Sequence, residues 1–480
     1  QRFKMEKCRT SSRIIIIGAG VSGIAAATRL LQNNFQNVQI LEAEDRIGGR
    51  INTVYFGDNV IDLGAQWCHG KQQNCVYDMV KDMGILHETG DYFSPIKRVR
   101  SNKEVVPHEL ACRIHDIAVK SMPSGPHPVV GSFGTHLTQT FWRKIESELP
   151  QVNRDVASEA LNTFAKHESS IIGADNLFEV SVREHIEYHE CDGDKLLHWG
   201  TKGYRRFLRL LMKVSEDTPE ELGLLEGRIQ LDKKVIKIEL ACPRKVILRC
   251  QDGDYFGADH VICTVSLGVL QEQHEKLFVP PLPAAKVNAI RSLTLGTVNK
   301  LYLEYEKQPL PDGWVGFFCF WLEEDLVELR KTEYFWVEGI TGVHMITCQP
   351  RMLMAWVNGP HGRHMETLSD EKVLEGLYWL FRKFLTFEIP PPKRFVRSSW
   401  FSNPNFRGSW SYRGVMADER NTGPWDLESP VLGEDGHLGL LFAGEASSRN
   451  HFSTVHGAVE AGYREADRLI DHYTSCSVSA

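Results

Sequence analysis

The stretch Ile14-Ile-Ile-Ile17-Gly18-Ala-Gly20-Val-Ser-Gly23 decides the fold of this 480-residue chain. Four isoleucines predict a buried strand, and the glycines that follow have the spacing of a G-x-G-x-x-G turn. Gly18 permits the tight turn, Gly20 lets the backbone approach a phosphate, and Gly23 lets the next helix pack against the strand. We predict that helix over Ile24–Leu31. Because a helix N-terminus attracts anions, this segment predicts a dinucleotide cradle.

A second strand, Val38-Gln-Ile-Leu-Glu42, ends on a carboxylate. Glu42 follows Gly18 at about the spacing at which an acid accepts hydrogen bonds from a ribose hydroxyl. The chain then reads Arg46-Ile-Gly48-Gly49-Arg50, which suggests a backbone turn and a cation closing over a diphosphate. This continuation favours FAD over NAD, because a nicotinamide-binding unit normally runs straight into its next helix. A glycine-rich surface loop is the alternative interpretation.

Length and composition indicate a multidomain globular protein. A chain of 480 residues is too long for one ordinary core, so we expect two or more domains. The hydrophobic content is 42%, the charged content is 24% and the formal net charge is −7. No apolar run reaches the roughly 18 residues of a membrane span. With no block of lysine and arginine either, we expect neither a membrane nor a nucleic acid as partner.

The cysteines favour a reducing compartment. There are eleven, an odd number, with no CxxC pair and no zinc-type spacing, so we expect free thiols. The residues before Ile14 are polar and basic, unlike a signal peptide, and the tail Cys476–Ala480 is not a Ser-Lys-Leu type address. The resulting expectation is a cytoplasmic protein.

The rest of the chain alternates between strand and helix patterns. Ile61–Gly70 reads as a short strand and a turn, and helical spacing runs from about residue 140 to 190. Val261–Val265 predicts a buried strand, in which Cys263 reads as a core residue rather than a reactive thiol. Further strands are predicted at 228–231, 234–239, 245–250, 297–306, 350–358 and 439–443, a hairpin turn at 252–254, and helices at 370–387 and 457–473.

Together these motifs are similar to those of FAD-dependent polyamine oxidases, in the flavin amine oxidase family, over nearly the whole chain. The animal acetylpolyamine and spermine oxidase type is the most similar. The motifs that carry the resemblance are Gly18–Gly23, Glu42 with Gly48-Gly49-Arg50, Gly64–Gly70, Thr264–Leu270, Gly296–Lys300, Arg407–Tyr412, Phe442–Glu445 and Ser453–Ala458.

The resemblance implies an α/β fold, α+β overall, with two domains and the flavin ring at their interface. The first is a discontinuous Rossmann-like FAD-binding domain, made from residues 11–95, 200–296 and 393–475. The second is a substrate-binding domain with a mixed sheet flanked by helices, made from residues 96–199 and 297–392.

The resemblance also implies a cofactor site. Glu42 is expected at the adenosine ribose, Arg50 at the diphosphate and the Val235 backbone at the adenine. Trp400 is expected near the flavin ring, with a plain core tryptophan as the alternative. Ser409 stands where monoamine oxidases carry the cysteine that binds FAD covalently, so we expect non-covalent FAD. The expected cofactor-binding residues are Gly18, Gly20, Gly23, Glu42, Gly49, Arg50, Gln66, Trp67, Val235, Trp400, Gly444, Glu445, Thr454 and Val455.

Two residues are expected to take part in catalysis. Lys300 matches the lysine that in this family reaches flavin N5 through a water. Without the motif, the same lysine would be a solvated strand end. His69 matches a histidine at the mouth of the flavin cavity in animal polyamine oxidases, and an imidazole can accept a proton from a substrate ammonium near neutral pH. Its alternative is a loop histidine with satisfied hydrogen bonds.

The expected substrate-binding residues are Glu168, Trp410, Tyr412, Ser453 and Thr454. Glu168 lies where related enzymes place a carboxylate that anchors a remote ammonium group, with a surface glutamate as the alternative. Trp410 and Thr454 occupy the places of two cage tyrosines of monoamine oxidases. Thr454 opens one wall, and Trp410 either narrows the channel or substitutes one ring for another.

The implied reaction is the oxidation of a polyamine: spermine, spermidine or their N1-acetyl forms. Hydride passes to flavin N5, the imine hydrolyses to an aminoaldehyde and a shorter amine, and O2 becomes H2O2. The expected partners are the polyamine and O2, with the protein a monomer. The alternatives are an L-amino acid oxidase, a monoamine oxidase, a chromatin lysine demethylase and a flavin-binding module without catalysis. The length of this chain leaves no room for the insertions of a chromatin lysine demethylase. The presence of both Lys300 and His69 argues against that module.

Overall fold

A parallel five-stranded sheet contains the isoleucine run. The computed structural model describes residues 9–90, 92–124, 131–214, 221–241, 245–346, 349–433 and 436–478. Residues 1–8 and 479–480, which carry part of the leader and address predictions, lie outside the described residues. The strand order in this sheet is Leu440–Phe442, His260–Cys263, Arg13–Ile17, Asn37–Leu41 and Ile229–Gln230.

Both faces of this sheet are covered, which explains why the isoleucine run is unbroken. Ile14 and Ile16 belong to one hydrophobic cluster, and Ile15 and Ile17 belong to another. Successive side chains of a strand point to opposite faces, so a strand buried on both sides is apolar at every position. Cys263 is buried in the second cluster, where burial raises the pKa of its thiol to about 12, in agreement with its interpretation as a core residue.

Two long helices cover the first face. Val21–Gln32 follows the glycine turn, and Val455–Val478 packs against it. A Cβ atom at Gly462 would lie 2.2 Å from the Ser22 carbonyl oxygen, so the two backbones are in close contact. Arg29 and Asp467 form an exposed ion pair at 2.9 Å across the same helices.

A four-stranded sheet covers the second face. Its strands are Tyr255–Ala258, Lys245–Cys250, Val235–Ala241 and Phe278–Val279, in that order. The first three are antiparallel, and the predicted hairpin turn at 252–254 joins two of them. Ile238, Val246 and Leu248 are buried toward the five-stranded sheet, as the alternating pattern requires.

A mixed six-stranded sheet forms the second large unit. Its strands are Arg394–Arg397, Val298–Glu304, Gln349–Asn358, Ile340–Ile346, Gly316–Phe320 and Lys97–Arg100. Only the last pair is parallel. The amphipathic helix Asp370–Phe384 packs on this sheet, with Val373, Leu377 and Phe384 buried. This helix confirms the prediction at 370–387.

A helical layer lies beside the six-stranded sheet. Its members are His108–Val119, Phe133–Glu148 and Arg154–Ile172, which share one hydrophobic cluster. The Asn153 side chain caps the third helix by accepting a hydrogen bond from Asp155 N at 2.8 Å. Thr163 ties this helix to the sheet by donating to the Cys319 carbonyl at 2.8 Å. The C-terminal end of this helix carries five residues of the cavity described below.

The remaining described elements are short, and no described helix is long and apolar enough to span a bilayer. Three two-stranded pairs are Thr53–Phe56 with Asn59–Asp62, Trp67–Cys68 with Leu197–His198, and Thr294–Leu295 with Ser411–Tyr412. The other helices are Cys75–Val80, Lys81–Met83, Val182–Glu187, Gly200–Lys202, Arg205–Leu211, Gly223–Leu225, Leu267–Leu277, Ala284–Ser292, Glu323–Leu329, Phe335–Gly339, Gly359–Met365, Val415–Glu419, Pro424–Glu428 and Glu445–Ser447.

The predicted fold class, α/β with several sheets, is confirmed. The domain boundaries stay predictions. One strand departs from them: Arg394–Arg397 pairs with Val298–Glu304 in the six-stranded sheet, although residues 393–475 were expected in the nucleotide-binding domain. The pairing follows from position, because Pro390–Pro392 leads directly into an open edge of that sheet.

We expect Gly23→Ala to lower the free energy of unfolding by about 1–3 kcal/mol, the usual cost of overpacking. A Cβ atom at Gly23 would lie 2.0 Å from the Gly18 carbonyl oxygen, which is main chain and cannot move alone. Gly20→Ala is the matched control, because a Cβ atom there meets nothing within 4 Å. Chemical denaturation of the two ligand-free variants measures their free energies of unfolding. Equal decreases in the two variants would contradict the packing role of Gly23.

Candidate active site

A cavity of about 1010 Å³ runs from the glycine turn to the helical layer. A smaller cavity of about 50 Å³ shares the lining residues Gln66 and Trp67 with it. Of the predicted site residues, Gly23 and Tyr412 lie outside its wall. Those that line it are Gly18, Gly20, Glu42, Gly49, Arg50, Gln66, Trp67, His69, Glu168, Val235, Lys300, Trp400, Trp410, Gly444, Glu445, Ser453, Thr454 and Val455.

The first end of the cavity is built for an anion. Gly20 caps the helix Val21–Gln32, and among the described residues no side chain bonds to its first N–H groups. The first turn carries no acidic residue, and a Cβ at Gly20 would face open space. The unpaired N–H groups at the start of this helix can donate hydrogen bonds to a phosphate, and a glycine at the cap lets the phosphate approach the backbone closely.

Glu42 lies beside this turn with a fixed carboxylate. It accepts hydrogen bonds from Ala19 N at 2.6 Å and from Glu44 N at 2.8 Å. Burial raises the pKa of Glu42, and these two N–H donors oppose the shift. Each oxygen keeps a lone pair for a further donor, so the carboxylate can accept hydrogen bonds from a pair of hydroxyl groups.

Arg50 and Glu445 form an ion pair in the wall. Arg50 Nη1 lies 2.8 Å from Glu445 Oε1 and donates to the Ser409 carbonyl at 2.7 Å. The other oxygen of Glu445 accepts from Ser411 Oγ at 2.6 Å and from Ser453 N at 2.8 Å. Residues from three separated parts of the chain, around positions 50, 411 and 453, therefore meet at one carboxylate. The role of Arg50 at a diphosphate stays a prediction.

Lys300 lies at the middle of the cavity, on the strand Val298–Glu304. Its ammonium donates to the Gly64 carbonyl at 2.7 Å, to Gln66 Oε1 at 2.7 Å and to the Asp62 carbonyl at 3.1 Å. Trp67 and Trp356 flank it, with ring centroids 5.7 and 5.5 Å from Nζ. Lys300 is 5% exposed, so it is not the solvated strand end of the alternative interpretation.

Burial sets the charge of Lys300 and its neighbour Asp62. It lowers the pKa of Lys300 to about 7, with the Asp62 charge opposing the shift. It raises the pKa of Asp62, while Thr53, Lys300 and the Tyr204 N–H oppose that shift. An amine whose pKa is close to neutral exchanges its proton readily, which is the property required of a group that orders water or relays a proton.

His69 has a defined tautomer. Its Nδ1 lies 2.7 Å from the Lys195 carbonyl oxygen, and because a carbonyl only accepts, Nδ1 carries the hydrogen. Burial lowers the pKa of His69, so the ring is neutral near pH 7 and Nε2 holds a lone pair. The ring lines the cavity, where it can accept a proton or hydrogen bond from a bound group.

The far end of the cavity is acidic. Glu168 lines it from the helix Arg154–Ile172, and Glu190 lines it from the loop after the helix Val182–Glu187. Burial and the like charge of Glu190 together raise the pKa of Glu168 to about 7. His167 and His344 line the same end, and burial lowers the pKa of each to about 4, so both are neutral. These two histidines therefore bring no positive charge to this end, whereas Lys195 lies 3.2 Å from Glu190 and pairs with it.

Trp410 also forms part of this wall. Its Nε1 donates to the Ile171 carbonyl at 3.2 Å, just before the C-cap Gly173 of the same helix. Thr454 Oγ1 donates to the His451 carbonyl at 2.7 Å and accepts from Gly457 N at 3.0 Å, so its hydroxyl group is engaged on both sides.

Tyr412, expected at the substrate, lies outside the cavity wall. The Tyr412 ring is 2% exposed and lies in the hydrophobic cluster of the helical layer, with its hydroxyl 3.4 Å from Glu179 Oε2. Its neighbour Ser411 points the other way, with its Oγ donating to Glu445 Oε2 at 2.6 Å. Gly23 is also absent from the wall, but its expected role was packing, which its contact with Gly18 supports.

Trp400, Val235 and Ser409 line the first half of the cavity. Trp400 Nε1 donates to the Leu63 carbonyl at 3.3 Å, and a Cβ at Gly64 would lie 3.2 Å from the Trp400 ring, so the ring packs on this loop. Ser409 Oγ donates to the Val298 carbonyl at 2.9 Å and accepts from Val298 N at 2.8 Å. A hydroxyl held in this way is not an attacking nucleophile.

Several lining residues escaped the sequence reasoning. They are Glu190, Lys195, Trp356, His167 and His344, and Asp62 stands just behind the wall. Trp356 faces Lys300 because these residues are paired across neighbouring strands. Both strands were predicted, but their register was not, and register decides which side chains meet. For Glu190, its place on a loop close after Glu168 in an acidic stretch was the available signal.

The chain was compared with protein families, with curated proteins and with solved structures. Residues 21–470 match the family described as flavin containing amine oxidoreductase. The chain belongs to that family. It is therefore a flavin-dependent oxidoreductase acting on amines. The chain is 31% identical to the peroxisomal N(1)-acetyl-spermine/spermidine oxidase of Homo sapiens, over 95% of this chain and 94% of the relative. It is 29% identical to probable polyamine oxidase 5 of Arabidopsis thaliana, over 96% and 98%.

A solved structure supports the same fold for this family member. Putrescine oxidase, in its wild-type form bound to putrescine, superposes with a TM-score of 0.68. The match covers 96% of this chain and 99% of that one at 19% identity, so it speaks for the fold alone.

The buried Lys300 gives a pH-dependent stability difference. From about pH 7 up to the ordinary lysine pKa of 10.5, the unfolded chain holds a proton that the folded Lys300 lacks. Wild-type stability therefore rises with pH in this window relative to Lys300→Met, by up to about 1.4 kcal/mol per pH unit. Denaturation of both proteins across this range measures the slope.

Lys331→Met is the control for this experiment, because the Lys331 side chain is 63% exposed. The difference in the free energy of unfolding between wild type and Lys331→Met should not rise with pH. A flat difference for Lys300→Met as well would contradict the lowered pKa.

Proposed function

We propose that this enzyme binds FAD without a covalent bond and oxidises polyamines, either spermine, spermidine or their N1-acetyl forms. The products are then an aminoaldehyde, a shorter amine and H2O2. The observation that carries this proposal is the single cavity. It joins an anion-binding end at Gly20 and Glu42, a buried amine at Lys300 and an acidic end at Glu168 and Glu190.

The residues at the first end fit FAD. The open N-terminus of the helix Val21–Gln32 suits a diphosphate, and the fixed carboxylate of Glu42 suits a ribose. Val235 lies on the cavity wall where an adenine can contact its backbone. When bound, FAD supplies the acceptor for two electrons from the amine and passes them to O2. The Ser409 hydroxyl, bonded at both sides to Val298, supports non-covalent binding.

The acidic end supports a substrate with more than one nitrogen. A protonated amine is a poor donor at its α-carbon, so the reacting nitrogen must be neutral while remote nitrogens stay charged. Neutral His69, with a lone pair on Nε2, can accept the proton of the reacting nitrogen. Glu168 and Glu190 can hold a remote ammonium group. Lys300, held by three acceptors, can order water between these ends.

The alternatives have weaker support. An L-amino acid oxidase needs an arginine for the substrate carboxylate, and among the described lining residues the arginine is Arg50, which pairs with Glu445. A monoamine oxidase has no need of two carboxylates at the far end. The names of the human and Arabidopsis relatives, an acetylspermine/spermidine oxidase and a probable polyamine oxidase, also favour a polyamine.

We expect H2O2 release on mixing the aerobic enzyme with at least one of spermine, spermidine and their N1-acetyl forms. Without oxygen the same amine should bleach the flavin absorbance. Lys300→Met should keep bound flavin, yet slow flavin reduction or reoxidation by roughly hundredfold, as for a lost proton-transfer group. Stopped-flow absorbance measures both steps. Failure of every amine to reduce the flavin would leave only a binding module.

The raised pKa of Glu168 predicts how substrate binding depends on pH. Below about pH 7 the carboxyl is protonated and neutral, and above it the carboxylate attracts an ammonium group. KM for the polyamine should therefore fall as pH rises through this value. Glu168→Gln should raise KM at high pH by about tenfold, or about 1.4 kcal/mol, and abolish the fall.

Glu190→Gln tests the cause of that raised pKa. Removing its like charge should move the fall in KM to lower pH, because Glu190 raises the pKa of Glu168. Glu323→Gln is the control, because its side chain is 73% exposed and outside the cavity wall. An unchanged KM profile in Glu168→Gln would contradict the anchoring role.

A further inference from the structure

A cluster of three metal-ligating side chains lies at the cavity wall, where Cys191 is itself a lining residue and the two others stand behind it. Cys191, His451 and His456 each place one ligand atom within 4.8 Å of the other two. Cys191 and His456 are 4% and 2% exposed, and all three come from segments close to the cavity wall. No catalytic or cofactor role of these side chains follows from the proposed oxidase reaction.

The spacing suits a small tetrahedral cation. With zinc bonds of about 2.3 Å to sulfur and 2.0–2.1 Å to nitrogen, two ligands of one ion lie roughly 3.3–3.7 Å apart. Cys191 Sγ and His456 Nε2 are already 3.6 Å apart. His451 needs to approach by roughly 1 Å, a movement within reach of side-chain rotation. The sulfur and two imidazoles are the ligand types that zinc prefers.

The second observation is a carboxylate behind His451. His451 Nδ1 lies 2.8 Å from Glu460 Oε2 and donates to it, which leaves the lone pair on Nε2. Histidines that bind metals commonly donate their other ring hydrogen to such a carboxylate, which fixes the tautomer and the ring direction. Glu460 is about one-third exposed, so this side offers a route for an ion from solvent.

We propose that Cys191, His451 and His456 form a Zn²⁺ site. Binding replaces the Cys191 S–H bond by a sulfur–zinc bond and releases one proton to water, while the two neutral imidazoles each give a lone pair. Three protein ligands leave the fourth position for water. The ion links the loop that carries Glu190 and Lys195 to the segment that carries Ser453 and Thr454, so it ties together two parts of the cavity wall.

The test is zinc binding by the purified full-length enzyme. After chelator treatment, incubation with Zn²⁺ and gel filtration, the wild type should retain one ion per chain, measured by elemental analysis. Cys191→Ser and His456→Gln should each retain none. Glu460→Gln should bind about 10- to 100-fold more weakly in competition with a chromophoric chelator, as expected for a partner that orients a ligand.

Cys112→Ser is the matched control. Cys112 also lies near a histidine, with its Sγ 3.6 Å from His108 Nε2, but on an exposed helix face and outside any described group of three ligands. This variant should retain one zinc ion. Equal retention by wild type and Cys191→Ser, or none by the wild type, would overturn the proposal.

X-ray absorption of the wild type with zinc bound keeps the test decisive if the variants do not fold. The spectrum should show one sulfur and two imidazole nitrogens around the ion. A shell without sulfur would also overturn the proposal.

Discussion

The burial of the Lys300 amine is the constraint on which the rest of the site depends. An ammonium group taken out of water must find acceptors, and here the loop after the strand Asn59–Asp62 supplies them with two main-chain carbonyls and Gln66. This contact fixes the loop against the six-stranded sheet. Gln66 ends this loop, and Trp67 and His69 follow in and just after the short strand Trp67–Cys68, so the position of one amine helps to set the position of three other lining residues.

Electrostatics change along the cavity in a way that matches its proposed use. The Gly20 end presents N–H groups, the middle holds an amine and a neutral imidazole, and the far end holds Glu168 and Glu190. Burial is the first cause of the pKa shift of Lys300, His69 and Glu168 alike. Burial in a low-dielectric environment therefore shifts each of these pKa values in the direction that favours the neutral form of the group.

The sequence predicted local features such as turns and single strands well, but it predicted contacts between distant parts of the chain poorly. The glycine spacing identified Gly18 and Gly20 because a turn is a local property, and the Ile run identified a strand covered on both faces. It could not show that Arg50 pairs with Glu445, because that contact joins residues far apart in the chain. The motif around Tyr412 was recognised, but which neighbour faces the cavity depends on how a two-residue strand is twisted and paired.

The order of strands in the five-stranded sheet constrains how the chain can be made. Arg13–Ile17 is made more than two hundred residues before its neighbour His260–Cys263, and that strand in turn pairs with the later Leu440–Phe442. Until these strands are made, an apolar strand edge stays unpaired, and such edges favour aggregation. The five-stranded sheet therefore closes only once residue 442 has been made, and a chain truncated before that residue would lack an edge strand rather than a separable domain.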